Sequence, residues 1–159
     1  MRRKGFLLGF LSVGGQVLLL RELVSSLNGD ELFIGTALFG WLMAIAVGAY
    51  QGGKRLRPRN GDRLFGAGCL LLPLMLLAVR FSPQLVTSVP GEIVPFAKAA
   101  VISILTMMPM GIISGWLFPL ITRDIISPAS DAVVVVYLFE GIGAFAGGLF
   151  ISLMVIWGQ

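Results

Sequence analysis

Long apolar runs constrain this chain more than any other feature. Between short polar stretches the sequence holds five runs, each of roughly the 20 residues that a helix needs to cross a ~30 Å hydrocarbon core at ~1.5 Å per residue. Their limits predict helices over about 5–27, 32–53, 64–81, 96–121 and 132–157. Only 13% of the 159 residues are charged and 57% are hydrophobic. A soluble domain carries about 25% charged residues. So little polar surface cannot cover a globule in water, and lipid must be the solvent for most of it. The expected fold class is all-α: one polytopic transmembrane bundle of five helices, without a soluble catalytic domain.

The connections are short. Asn28-Gly29-Asp30-Glu31 reads as a tight polar turn. Lys54 to Arg63 is the most charged stretch, and Pro83, Pro90 and Pro95 mark a loop. Pro73 predicts a kink in the third helix. The start, Met1-Arg2-Arg3-Lys4, imitates a signal peptide. However, no A-x-A-like site follows, and the apolar run continues to Leu27.

The basic residues predict orientation. With the N-terminus inside, Arg2, Arg3, Lys4, Lys54, Arg55, Arg57, Arg59, Arg63 and Arg123 all face the cytoplasm, nine of the twelve Lys and Arg. Asp30, Glu31 and Glu92 then lie outside, as does the C-terminus. The net charge of +4 is thus explained by topology, and nucleic acid is not expected as a partner. The chain has no histidine and one cysteine, Cys69. That removes the common zinc, haem and iron–sulfur sites and histidine acid–base catalysis. No cofactor or metal is expected. The lipid bilayer is the expected surrounding.

Small residues recur at helical spacing. Thr36, Gly40, Ala44, Gly48 and Gly52 stand four apart in the second helix, and Gly143 and Gly147 in the fifth, beside Ala144 and Gly148. The fourth helix has Gly111 and Gly115. Such stripes let helices approach closely in lipid. A sliding interface of the transporter kind is the sharper reading. Gly141, Gly143 and Gly147 imitate a dinucleotide-binding turn, but the apolar run continues to Trp157 and no acidic ribose ligand follows. Met108-Pro109-Met110-Gly111 and Leu117-Phe118-Pro119-Leu120 predict a discontinuous fourth helix, either a simple kink or the lining of a site.

Gln16, Arg21, Glu22 and Glu140 are the candidate binding residues. A charge in the hydrocarbon core costs at least ~2.5–3.5 kcal/mol on insertion scales, so it has a partner or lines a cavity. Arg21 lies about six residues, roughly 9 Å, from the end of its helix, within reach of the interface. Glu140 lies roughly 12 Å deep and needs a partner, protonation or water. An Arg21–Glu140 pair is strained, because the two depths differ by around 10 Å.

Several stretches together carry a family resemblance. They are Ser12-Val13-Gly14-Gly15-Gln16-Val17-Leu18-Leu19-Leu20-Arg21-Glu22-Leu23, Gly48-Ala49-Tyr50-Gln51-Gly52-Gly53 before the basic loop, Met108-Pro109-Met110-Gly111, Phe118-Pro119-Leu120, and Tyr137 to Gly148 with its Phe139-Glu140-Gly141 core. In this order the set resembles the membrane portion of bacterial membrane-bound spermidine synthase-like proteins, transporter-like helices fused to an aminopropyltransferase domain. The resemblance implies a multi-pass protein of the bacterial inner membrane. In that family the soluble domain transfers an aminopropyl group from decarboxylated S-adenosylmethionine to a polyamine amine. Nothing here matches that domain, so no catalytic residue is carried over and an enzyme is not expected. A truncated or split version, or a helper subunit, is implied instead.

Two functions follow as expectations. The first is a module that anchors a partner or handles a cationic, polyamine-like substrate, with Glu140 and Glu22 attracting the cation. The second is a non-catalytic scaffold subunit of a larger membrane complex, through a protein partner or a homo-oligomer. The basic loop would then dock an acidic partner or anionic head groups. A stand-alone enzyme ranks last, since no nucleophile–base pair is visible.

Overall fold

The computed structural model describes residues 2–27, 31–55, 61–86, 95–123 and 129–157. They form five α-helices: α1 (Arg2–Leu27), α2 (Glu31–Arg55), α3 (Gly61–Val86), α4 (Phe96–Arg123) and α5 (Ala129–Trp157). All five are long and apolar enough to cross a membrane. At ~1.5 Å per residue they are about 38–44 Å long, enough for the hydrocarbon core and a few ångströms of head-group region on each side.

The helices outrun their apolar cores, because propagation into the interface keeps backbone groups paired where water is scarce. Glu31 therefore belongs to the first turn of α2 and Asp62 to that of α3, where acids complement the helix dipole. Lys54 and Arg55 extend α2, and α3 continues through the backbone of Pro83. Residues 56–60 of the basic loop, residues 28–30, Pro90 and Glu92 lie outside the described residues, while residues 61–63 open α3. Pro95 precedes α4, and its carbonyl accepts the amides of Lys98 at 3.0 Å and Ala99 at 3.1 Å.

One expectation is overturned. α4 is continuous through Pro109 and Pro119, not broken. Each proline removes one backbone donor, but its helix neighbours are held on both sides. Met107, Met110, Leu117 and Leu120 are all buried. Packing fixes the helix where the local sequence alone would loosen it. α3 is likewise helical across Pro73.

α1 and α4 are central, each packing against all four other helices. Their close approaches set the directions. A side chain added at Gly5 would meet the Phe139 Cβ at 3.2 Å, and one at Gly147 would meet the Phe10 carbonyl at 2.7 Å, so α1 and α5 run parallel. Gly40 lies against Ile104 and Gly52 against Trp116, so α2 and α4 run parallel too. Gly68 lies beside Leu11, and Gly15 beside Leu72, which makes α3 parallel to α1. Met110 meets Gly15 while Ile113 lies near Gly68, which runs α4 the opposite way. The start of α1 and the end of α5 therefore stand at opposite ends of the bundle.

Two apolar clusters fill the interior. One holds Leu19, Leu23, Phe33, Trp41, Val79 and Met107; the other holds Leu8, Ile113, Leu117, Ile121 and Val136. Large apolar side chains also cover the outside, Leu70 at 77% exposure and Phe145 at 73% among them. Such a surface suits lipid tails and not water. Tyr50 and Tyr137 are exposed near one end of the bundle and Trp157 at the other, as expected of aromatic residues at the two membrane interfaces.

Polar ties sit at the tyrosine-bearing end. Lys4 pairs with Asp62 at 3.0 Å, joining α1 to the first turn of α3. The Lys54 ammonium donates to the Tyr50 hydroxyl at 2.6 Å. The Arg123 guanidinium donates to the Gly53 carbonyl, where α2 leaves orphan acceptors. The Asp62 carboxylate is largely exposed, and such pairs contribute ~0–1 kcal/mol. Asp62→Ala is accordingly expected to shift resistance to SDS unfolding by less than about 1 kcal/mol. Arg123→Ala removes a charged hydrogen bond and is expected to cost about 1 kcal/mol.

Candidate functional site

The candidate binding residues separate into two places. Glu140 lines a cavity of about 160 Å³ between α1, α2, α4 and α5, with Ser12, Ala49, Ser114, Gly115 and Phe118 among its walls. Arg21 and Glu22 line a different cavity of about 410 Å³ between α1 and α3, which also contains Arg80. Gln16 is half-buried on α1 and borders neither. No ion pair joins Arg21 to Glu140 among the described residues. This agrees with the depth difference that makes such a pair strained.

The Glu140 cavity is built by close helix contacts. Gly9 of α1 lies against the Glu140 carbonyl and 2.7 Å, measured from an added Cβ, from the Ala144 amide. Gly143 lies against the Phe6 backbone. These approaches fix α5 on α1 at the level of the acid. On the opposite wall, Gly115 of α4 lies against Ile45 and Gly48 of α2. Glu140 therefore stands at a crevice whose backbone walls are held by glycines. Gly9 is a packing residue absent from the predicted stripes, although Gly5 and Gly9 stand four apart and both meet α5.

Ser12 and Ser114 bring hydroxyls to the crevice and are themselves buried, at 7% and 6% exposure. Glu140 is half-buried, and no cation pairs with it among the described residues. The carboxylate only accepts, and each hydroxyl can accept as well as donate, so the set can surround a positively charged donor with oxygen. The volume is that of about five waters at ~30 Å³ each. It admits an ammonium head or a partly hydrated monovalent ion. No group of three or more His, Cys, Asp or Glu side chains comes together among the described residues. The indole N–H of Trp116 is buried without a hydrogen-bond partner, but Trp116 does not line this cavity.

The predicted packing glycines occupy helix contacts. Gly40 faces Ile104, Gly48 faces Ile112 and Gly115, and Gly52 faces Trp116 and Pro119. Gly143 and Gly147 face Phe6 and Phe10. Two parallel pairs, α2 with α4 and α1 with α5, are thus joined through backbone-level contact.

Ser12, Ser114 and Arg80 also escaped the sequence reading. The serines give no signal, because isolated small hydroxyls are ordinary in membrane helices, where they bond back to a carbonyl as Ser103 does to Ala99 at 2.7 Å. Arg80 fell one residue short of a predicted helix end at 81. The helix runs on to Val86, which places Arg80 well inside.

Comparison with protein-family models, with curated proteins and with solved structures finds no match to this chain.

Proposed function

We propose that this chain is a multi-pass module of the bacterial inner membrane that takes a cationic amine group at Glu140, in the manner suggested by its resemblance to the membrane portion of spermidine synthase-like proteins. One observation carries the reading: half-buried Glu140 lines a small cavity together with the buried Ser12 and Ser114, and no cation pairs with it among the described residues. In a low-dielectric interior an unpaired carboxylate is costly, and a bound cation offsets that cost. The cavity has one carboxylate, so an extended polyamine would place one ammonium terminus at Glu140 and run the remainder toward the crevice mouth. The N-terminus lies inside and the C-terminus outside, a reading supported by the basic residues at the α1 start, the α2 end and Arg123.

Binding of spermidine to the purified chain in detergent, measured by calorimetry at fixed ionic strength, tests this. Saturable binding that weakens at least about tenfold in Glu140→Gln is expected, since one charge-assisted contact is worth ~1.5–3 kcal/mol. Equal binding by Glu140→Gln contradicts the site. No binding, together with a protein that co-purifies stably, favours the scaffold reading. A reporter fused after Gln159 is expected to be active only on the non-cytoplasmic side. Activity confined to the cytoplasm reverses the topology.

A further inference from the structure

The second cavity has a different chemistry. Arg21 of α1 and Arg80 of α3 share it with a single carboxylate, Glu22. No ion pair joins Glu22 to either arginine among the described residues. The three groups thus leave one positive charge in excess. α1 and α3 run parallel, and the register set by Leu11 beside Gly68 and Gly15 beside Leu72 carries Arg21 to within about 3 Å of Arg80 along the axis. Both arginines stand six residues from their helix ends, Leu27 and Val86, roughly 9 Å at helical rise. In helices about 39 Å long, that is only a few ångströms below the edge of a ~30 Å hydrocarbon core. A guanidinium stem spans that distance and delivers its fork to the phosphate level.

The remaining walls are apolar. Leu18, Leu76, Leu77 and Pro73 line the same cavity. All precede the arginines on helices that run the same way, so they lead from the charged rim toward the membrane centre. A second groove of about 400 Å³ borders Arg21 along α1, with Val17 and Leu20 on the membrane side of it and Val24 and Ser25 beyond it. Arg21 is exposed between the two. Two arginines near phosphate depth, above the apolar stretches Leu18–Leu77 and Val17–Leu20, match a molecule with one anionic head and two acyl chains.

We infer that Arg21 and Arg80 hold the phosphate of an anionic phospholipid, whose acyl chains lie along Leu18–Leu77 and Val17–Leu20. Guanidinium forks bind phosphate oxygens bidentately, and they do so more strongly than an ammonium. Glu22 sets the selectivity. It neutralises one arginine's worth of charge, so a head group with one negative charge balances the site. The lipid would also bridge α1 and α3 at the end of the bundle away from the Lys4–Asp62 pair. The inference is independent of the amine reading at Glu140, which concerns a separate cavity at another level of α1.

Native mass spectrometry of the full 159-residue chain, delipidated and then titrated with defined lipids, tests this. The expected result is one phosphatidylglycerol retained at least about fivefold more tightly than phosphatidylcholine. Arg80→Gln and Arg21→Gln each remove the preference, and Arg80→Lys weakens it. Lys98→Gln, an exposed cation on α4 that lies outside the cavity, leaves it intact. Equal retention of the two lipids by the wild-type chain overturns the inference, and so does an equal loss in Lys98→Gln. Displacement of phosphatidylglycerol by millimolar inorganic phosphate also overturns it, since free phosphate would then be the occupant. Because the lipid comparison needs no variant, a poorly folding arginine mutant leaves the decision unaffected.

Discussion

Gly143→Leu is expected to separate α5 from α1 and to abolish the monodisperse folded protein in mild detergent. Any Cβ at position 143 collides with the carbonyl and Cα of Phe6, which are backbone atoms. A flexible side chain can rotate away from such a clash, but a helix backbone must move as a whole. Overpacking of side chains typically costs ~1–3 kcal/mol, and a clash with backbone belongs at or above the upper limit, about 3 kcal/mol. Gly115→Leu is expected to do the same to the α2–α4 pair, since its Cβ meets Ile45 and lies 2.9 Å from the Ala49 amide. Gly141→Leu is the control. Nothing lies within 4 Å of its added Cβ, so unfolding in a graded SDS titration should change by less than about 1 kcal/mol. Equal tolerance of all three substitutions would show that these helices are not in backbone contact.

Trp41→Ala is expected to lower stability by about 2–4 kcal/mol in the same titration. Trp41 is 2% exposed within the cluster of Leu19, Phe33 and Met107. In water a buried aromatic loses both transfer energy and packing on truncation. In a bilayer the separated helix already meets an apolar solvent, so the cavity and the lost dispersion contacts carry the cost. The range therefore sits somewhat below the ~3–5 kcal/mol of soluble cores. Phe145→Ala removes a ring of which 73% is exposed and should cost less than about 0.5 kcal/mol, the usual range for a surface substitution away from special features. A large loss at Phe145 with none at Trp41 would invert the assignment of inside and outside.

The contrast between these residues explains what was legible in the sequence. Five spans could be read because each apolar run is as long as a bilayer is thick, and that signal needs no tertiary context. The glycines of α2 and α5 could be read because four-residue spacing places them on one face. Gly5 and Gly9 of α1 carry the same spacing, but that their partner is the backbone around Phe139 and Glu140 shows only in the fold. The continuity of α4 failed for the same reason. Pro109 and Pro119 speak locally for a break, and only the buried Met107, Met110, Leu117 and Leu120 hold the helix through them. At the candidate site, Glu140 stood out because an acid in an apolar helix is rare. Ser12 and Ser114 are common residues in ordinary positions, and only the meeting of α1, α4 and α5 gives them a carboxylate to face. Arg21 and Glu22 were grouped with Glu140 by polarity, whereas the fold groups them with Arg80.

The central claim is that the crevice at Glu140 receives an amine. It is tested most directly by labelling the purified chain with an apolar carbodiimide, which reaches carboxyl groups in lipid-facing interiors. Peptide mapping then reads the rate at each acid with and without saturating spermidine, at matched ionic strength. The account predicts that labelling of Glu140 slows several-fold with spermidine, while labelling of the exposed Asp62 does not change. Identical labelling of Glu140 with and without the amine would contradict it.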